Sequence, residues 1–182
     1  MSIVLALALG ISSGLNPYVT VAITSIVAAR SDLLTPAPAF AFVASTGMFV
    51  SALLLFPIDV FADKFPGSGG LMDRVGWVLR PVAGGIVGGA AMAAGGPGLI
   101  LGIALGAVAA LTTHALRLRT RSRVQWRMLG FGRIVFGAYG DFGSGIVAMT
   151  ALLTPPLGLA IAASLLAAAV LVDRRWGGEE PA

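Results

Sequence analysis

Four stretches of the chain contain no charged residue and are apolar almost throughout: 1–29, 33–58, 81–116 and 142–172. Each is longer than the roughly 18 consecutive apolar residues that mark a membrane-spanning helix. Together they cover most of the 182 residues. The pattern therefore predicts an all-α, polytopic helical membrane protein.

Proline and glycine divide these stretches further, because both weaken or interrupt a helix. The expected breaks lie at Asn16-Pro17, at Gly95-Gly96-Pro97 and at Thr154-Pro155-Pro156. A further span is expected at about 37–58, ending at Pro57. The prediction is about six membrane-embedded segments in one transmembrane domain, 1–176, followed by a polar tail, 177–182. Whether the short piece 82–95 crosses the membrane or re-enters is left open.

Composition strengthens this assignment and narrows the chemistry. Hydrophobic residues make up 57% of the chain and charged residues 11%, whereas soluble domains carry about a quarter charged residues. A soluble enzyme, a nucleic-acid-binding domain and a disordered chain are all excluded on this ground. The chain has no cysteine and one histidine, so thiolate metal sites and cysteine nucleophiles are excluded. We expect no enzymatic activity, no metal and no cofactor.

The basic residues favour one side of the membrane. With six crossings, the N-terminus, the 59–80 and 117–133 loops and the C-terminus share a side, which then holds 11 of the 12 Lys and Arg residues. Only Arg30 faces the other way. Since cytoplasmic loops are rich in Lys and Arg, both termini are predicted to be cytoplasmic. The arginine-rich loop Arg117–Arg127 is predicted to lie on anionic lipid.

Two motifs carry a resemblance to a known family. The first is Gly14-Leu15-Asn16-Pro17-Tyr18, and the second runs from Phe61-Ala62-Asp63-Lys64-Phe65-Pro66 through Asp73 to Arg80-Pro81-Val82-Ala83-Gly84. They resemble the bacterial inner-membrane family catalogued as domain of unknown function 4126. The resemblance implies a small multi-pass protein of the bacterial inner membrane and brings no established activity. Asp63, Lys64, Pro66, Arg80 and Pro81 transfer as pattern positions, while the chain departs from the family pattern after residue 120.

An ionisable residue inside the membrane costs free energy and usually has a function. The first candidate residues are chosen on this ground. Asp59 and Asp63 share a helix face if the helix continues through Pro57; with Lys64 they form either a cation or proton site or a salt-bridged helix end. Asp141 lies eight residues past Arg133, about 12 Å deeper on a continuous helix. Alternatively, the glycines around Asp141 unwind the segment and leave it at the interface.

Two further candidates are uncharged. Asn16 stands inside an apolar run beside Pro17, and broken membrane helices expose backbone groups that bind ions or polar solutes; a simple proline kink is the alternative. His114 is either an interface residue or part of a proton relay. The candidate solute or ion pathway therefore comprises Asn16, Asp59, Asp63, Lys64, His114 and Asp141.

Two functions from different classes follow. The first is a transporter or channel for a small polar or ionic solute, with the aspartates available for proton coupling. The second is an accessory or assembly subunit of a larger membrane complex. Its basis is a set of small-residue faces that suit close helix packing, within the chain, in a homo-oligomer or along a permeation path. These faces comprise Gly84, Gly85, Gly88, Gly89, Gly98, Gly102 and Gly106.

Overall fold

A computed structural model describes the backbone of residues 2–64, 69–92, 97–127 and 131–176. Within these ranges it describes all side chains except those of 2, 62–72, 123–133 and 176. The described backbone is helical almost throughout, which confirms the all-α prediction. The helices are α1 Ser2–Leu15, α2 Pro17–Arg30, a 3₁₀ helix Pro38–Ala44, α3 Thr46–Lys64, α4 Gly69–Ala90, α5 Pro97–Arg127, α6 Phe131–Leu153 and α7 Pro155–Trp176.

Three segments of the described helices are long and apolar enough to cross a membrane: Pro97–Ser122, Ile134–Leu153 and Pro155–Arg175. A fourth span is possible if the 3₁₀ helix and α3, which meet at an angle of 56°, cross together. Helices α1 and α2 are apolar but shorter, with 14 residues each. Helix α4 has 22 residues and carries Asp73, Arg74 and Arg80. The chain is therefore a membrane-embedded helical protein.

Helix α1 lies at the centre of the bundle and packs against α2, α4, α5, α6 and α7. Its residues 3–11 are apolar on every side, and Ala6, Ala8 and Leu9 have no exposed surface. A helix that is hydrophobic on every side is buried either in a protein core or in a membrane. Because neighbouring helices surround α1, its break at Asn16 lies inside protein.

Glycines allow α1, α4 and α5 to approach backbone to backbone. A Cβ on Gly84 would lie 2.5 Å from the Gly106 carbonyl oxygen, and one on Gly10 would lie 2.6 Å from the same atom. A Cβ on Gly88 would meet the Gly102 carbonyl oxygen and lie 3.0 Å from Gly106 Cα. These small-residue faces therefore serve packing within the chain.

Two segments predicted as loops are largely helical instead. Helix α3 continues through Pro57 to Lys64, so the span does not end at Pro57, and α4 begins at Gly69. Helix α5 continues through the arginine-rich segment to Arg127, since arginine is a good helix former. Helix α4 also runs without interruption through Pro81 to Ala90, so residues 82–90 are not a separate short piece.

The structure confirms two of the predicted helix breaks, and two other predicted segments fall at least partly outside the described residues. The break at Thr154 is confirmed, with α6 ending at Leu153 and α7 beginning at Pro155. Residues 93–96 of the predicted glycine-rich break and the tail 177–182 lie outside the described residues. The break at Asn16 is confirmed below.

Candidate functional site

Asn16 interrupts an otherwise continuous helix at a single residue. Its backbone is extended, with φ −146° and ψ 112°, while α1 ends at Leu15 and α2 begins at Pro17. The Asn16 side chain caps α2, because its Oδ1 accepts hydrogen bonds from the N–H groups of Tyr18 at 3.0 Å and Val19 at 3.1 Å. Pro17 has no N–H to satisfy. The start of α2 is therefore capped by the Asn16 side chain, which supplies the hydrogen-bond partners that a helix end needs inside a membrane.

Arg80 satisfies the other side of the same break. Its Nη1 donates to the carbonyl oxygens of Gly14 at 2.7 Å and Leu15 at 2.5 Å. In an unbroken helix these carbonyls would accept from Tyr18 and Val19, whose N–H groups are taken by Asn16. The guanidinium also suits the negative end of the α1 dipole. Arg80 is 4% exposed, so the charge is held within the bundle.

Two carboxylates from separate helices converge on Asn16. Its Nδ2 donates to Asp141 Oδ1 on α6 at 2.7 Å and makes a longer contact of 3.5 Å with Asp59 Oδ2 on α3. Asn16 is 1% exposed and Asp59 is 8% exposed. Asn16, Arg80, Asp59 and the partly buried Asp141 thus form one group, called here the Asn16 cluster.

Further polar groups surround the cluster. Ser12 Oγ donates to the Ser144 carbonyl oxygen at 2.8 Å and lies 2.7 Å from Thr20 Oγ1. Arg117 is 3% exposed, and a Cβ built on Gly140 would lie 3.3 Å from Arg117 Nε and 3.5 Å from the Leu15 carbonyl oxygen. A second guanidinium therefore lies beside the residue that precedes Asp141.

A small cavity of about 10 Å³ touches the cluster between α2, α3 and α4. Tyr18, Asp59, Gly76 and Arg80 contribute to its lining. A volume of about 10–15 Å³ on this measure holds one water molecule. The cavity can therefore place one hydroxyl-sized group against a carboxylate and a guanidinium.

The family follows from comparison of the whole chain. The family described as Domain of unknown function (DUF4126) matches residues 3–175. The chain belongs to the DUF4126 family. No curated protein and no solved structure matches it. The resemblance seen in the two sequence motifs is thereby confirmed, and it extends through the arginine-rich segment and α6.

For this DUF4126 member, the structure brings together three of the six candidate residues: Asn16, Asp59 and Asp141. The glycines around Asp141 do not unwind the segment, because α6 is continuous from Phe131 to Leu153. The residues around Asp141 keep the backbone hydrogen bonds of a helix, which an unwound segment would lack. The alternative in which the glycines unwind the segment around Asp141 is therefore wrong.

His114 lies next to the cluster. The ring has no exposed surface, its Nε2 is 3.3 Å from the Asp73 carbonyl oxygen, and it packs edge-on to Trp77. A Cβ on Gly76 would lie 2.9 Å from His114 Cε1 and 3.2 Å from Arg80 Nε. Hence Gly76 is what lets the imidazole and the guanidinium approach each other.

Asp63 and Lys64 end α3, and their side chains lie outside the described residues. The helix does continue through Pro57, which meets the condition for Asp59 and Asp63 to share a face. Among the predicted lipid-facing arginines, Arg119 is exposed, whereas Arg117 and Arg121 are buried. Arg121 Nη1 pairs with Asp73 Oδ1 at 3.0 Å. Side chains 123–127 are outside the description.

Sequence reasoning treated Arg80 as a family pattern position and did not assign it a site role. The signal lay in its position, since Arg80 directly precedes Pro81 and the charge-free run 81–116. A charge at the edge of such a run either reaches the interface or pairs within the bundle. Deciding between these needs the partner carbonyls, which lie about 65 residues earlier in the chain.

Proposed function

We propose that this protein is a small integral membrane transporter or channel for a small polar or ionic solute, coupled to proton movement. The observation that supports the proposal is the convergence of Asp59 and Asp141, from separate helices, on the capped break at Asn16. Carboxylates within membrane-spanning helices are costly and mark ion or proton pathways in membrane proteins. Broken helices are a recurring feature of transporter sites.

The cluster offers a physical link between protonation and helix conformation. The Asn16 amide donates to Asp141 and, through the same planar group, accepts from the first turn of α2. A hydrogen bond to an ionised carboxylate is about twice as strong as one to a neutral group. Protonation of Asp141 would therefore weaken the bond that orients the cap, and α2 could move relative to α1.

Replacement of Asp141 by asparagine tests the proposal. Asp141→Asn keeps an oxygen acceptor for the Asn16 amide but cannot release a proton, so we expect loss of at least about 90% of proton-coupled flux with folding preserved. The measurement is flux in vesicles containing purified protein, read with an internal pH-sensitive dye across a panel of monovalent ions and small polar solutes.

Asp32→Asn is the matched control, because Asp32 is an exposed carboxylate in the connection after α2. It should transport like the wild-type protein. Unchanged flux in Asp141→Asn, or no flux by the wild-type protein across the panel, would argue against transport through this cluster.

The rival function, an accessory or assembly subunit, was suggested by glycine faces, and the structure places these faces in contacts within the chain. Its glycine faces pack internally, with Gly88 against Gly102 and Gly84 against Gly106. A substitution such as Gly88→Leu would therefore disturb the fold itself before any association. A homo-oligomer or larger complex would need another apolar face. We also infer that the protein is not an enzyme, since the sequence offers one histidine and no cysteine.

We infer that the protein resides in the bacterial inner membrane with both termini in the cytoplasm, from the basic asymmetry. The chain is naturally free of cysteine, so single cysteines report topology directly. Ser31→Cys, after α2, should react in intact cells with a membrane-impermeant thiol reagent, whereas Ser122→Cys, in α5, should react after permeabilisation only. Both serines are exposed. The reverse labelling pattern would show that the protein has the opposite orientation. Labelling of both cysteines in intact cells would refute the predicted topology.

A further inference from the structure

An apolar groove of about 180 Å³ lies between α2, α3 and α4, beside the Asn16 cluster. Its walls include Val21 from α2, Met48 and Leu55 from α3, and Val82 and Ile86 from α4. The groove is partly open, and its lining residues Leu55, Leu79 and Val82 are exposed. Exposed apolar side chains of a membrane-embedded protein suit contact with molecules dissolved in the bilayer.

The groove adjoins the small polar cavity of the cluster. Pro17, Tyr18 and Leu79 line both spaces. Along α3 the groove extends from Met48 to Leu55 and the cavity follows at Asp59. The two adjoining spaces are together amphipathic, with the polar cavity toward the C-terminal end of α3.

We propose that this space binds a single-chain amphiphile whose polar end is a hydroxyl group, with the hydroxyl in the cavity and the hydrocarbon chain in the groove. Size supports the hydroxyl, because the cavity of about 10 Å³ has room for one water-sized group. A phosphate, carboxylate or quaternary ammonium group is larger than that.

The charged side chains that line the cavity also favour a hydroxyl group. Asp59 and Arg80 both line the cavity, so an anion would meet the carboxylate and a cation would meet the guanidinium. A hydroxyl both donates and accepts hydrogen bonds, and it can therefore face the two groups at once. The phenol of Tyr18 lies within electrostatic range of both Asp59 and Arg80 and supplies a further polar atom.

The volume of the groove also limits how much of the hydrocarbon chain fits inside it. Its volume of about 180 Å³ is comparable to the engineered cavity of about 150 Å³ that holds one benzene molecule. About six to eight carbons therefore fit inside, and a longer chain would extend through the open side into the bilayer. This binding site stands independently of the proposed transport, because it needs no solute to cross the membrane.

The test uses full-length protein in phosphatidylcholine nanodiscs and two photoreactive probes. One is octan-1-ol carrying a diazirine near its methyl end, and the other is the methyl ether of the same molecule. We expect the alcohol to label groove residues about three- to tenfold more efficiently than the ether, as one net hydrogen bond allows. Labelled residues are identified by mass spectrometry, with no transport measurement.

Three variants localise the site. Ser51→Phe fills the groove and should abolish labelling there, whereas Leu54→Phe, at an exposed residue outside the groove lining, should leave it unchanged. Tyr18→Phe should reduce the preference for the alcohol. Equal labelling by both probes would show a groove filled by ordinary lipid chains, and labelling unaffected by Ser51→Phe would place the probe elsewhere; either result overturns the proposal. Loss of transport in Asp141→Asn would not bear on it.

Discussion

Gly106→Ala should destabilise the protein by about 3 kcal/mol, because backbone cannot move aside for the added methyl group as a side chain can. A Cβ at Gly106 would overlap the Gly84 carbonyl oxygen and lie 2.9 Å from the Gly84 carbonyl carbon. Gly88 Cα lies 3.1 Å away on the same side. Helices α4 and α5 would therefore have to separate. The packing of α1 against α5 at Gly10 would then be lost as well.

The free energy of unfolding can be measured by sodium dodecyl sulfate titration in mixed micelles, followed by circular dichroism. Gly137→Ala is the matched control, since a Cβ at Gly137 would meet nothing within 4 Å. Alanine at this helical position should be neutral or stabilising by up to about 1 kcal/mol. Equal stability of the two variants would show that close contact between α4 and α5 does not determine the fold.

Arg80→Met should cost about 3–5 kcal/mol, the range for removing one charge from a buried charged network. The substitution keeps much of the side-chain volume but removes both hydrogen bonds to the end of α1, at Gly14 and Leu15. It also leaves Asp59 without the cation that shares its cavity. Uncapped carbonyls buried in a membrane protein cost free energy, because bulk water does not reach them.

The same detergent titration measures this loss, and Arg119→Met is the control. Arg119 lies on α5 with an exposed side chain, so its replacement should change stability by less than about 0.5 kcal/mol. Arg80→Lys should recover part of the loss, because an ammonium group donates but lacks the planar fork of arginine. Wild-type stability in Arg80→Met would contradict the capping role.

The helical class and the break at Asn16 were predictable because they depend on local chemistry. Long charge-free runs cannot stay in water, and Pro17 removes a backbone donor whatever the rest of the chain does. The extents of α3, α4 and α5 were not predictable in this way. Pro57 and Pro81 lie inside continuous helices, where the surrounding turns keep the helix intact.

The sequence by itself determined that this protein is built from membrane helices, that Asn16 interrupts one of them, and that Asp59 and Asp141 are unusual for their surroundings. Only the tertiary structure decided that these three residues meet, that Arg80 caps the same break, and that Arg117 and Arg121 point inward. The physical reason is the separation along the chain between the groups that interact. Helix formation and breaking depend on neighbours a few residues away, whereas pairing a buried charge depends on groups that folding brings together from distant positions in the chain.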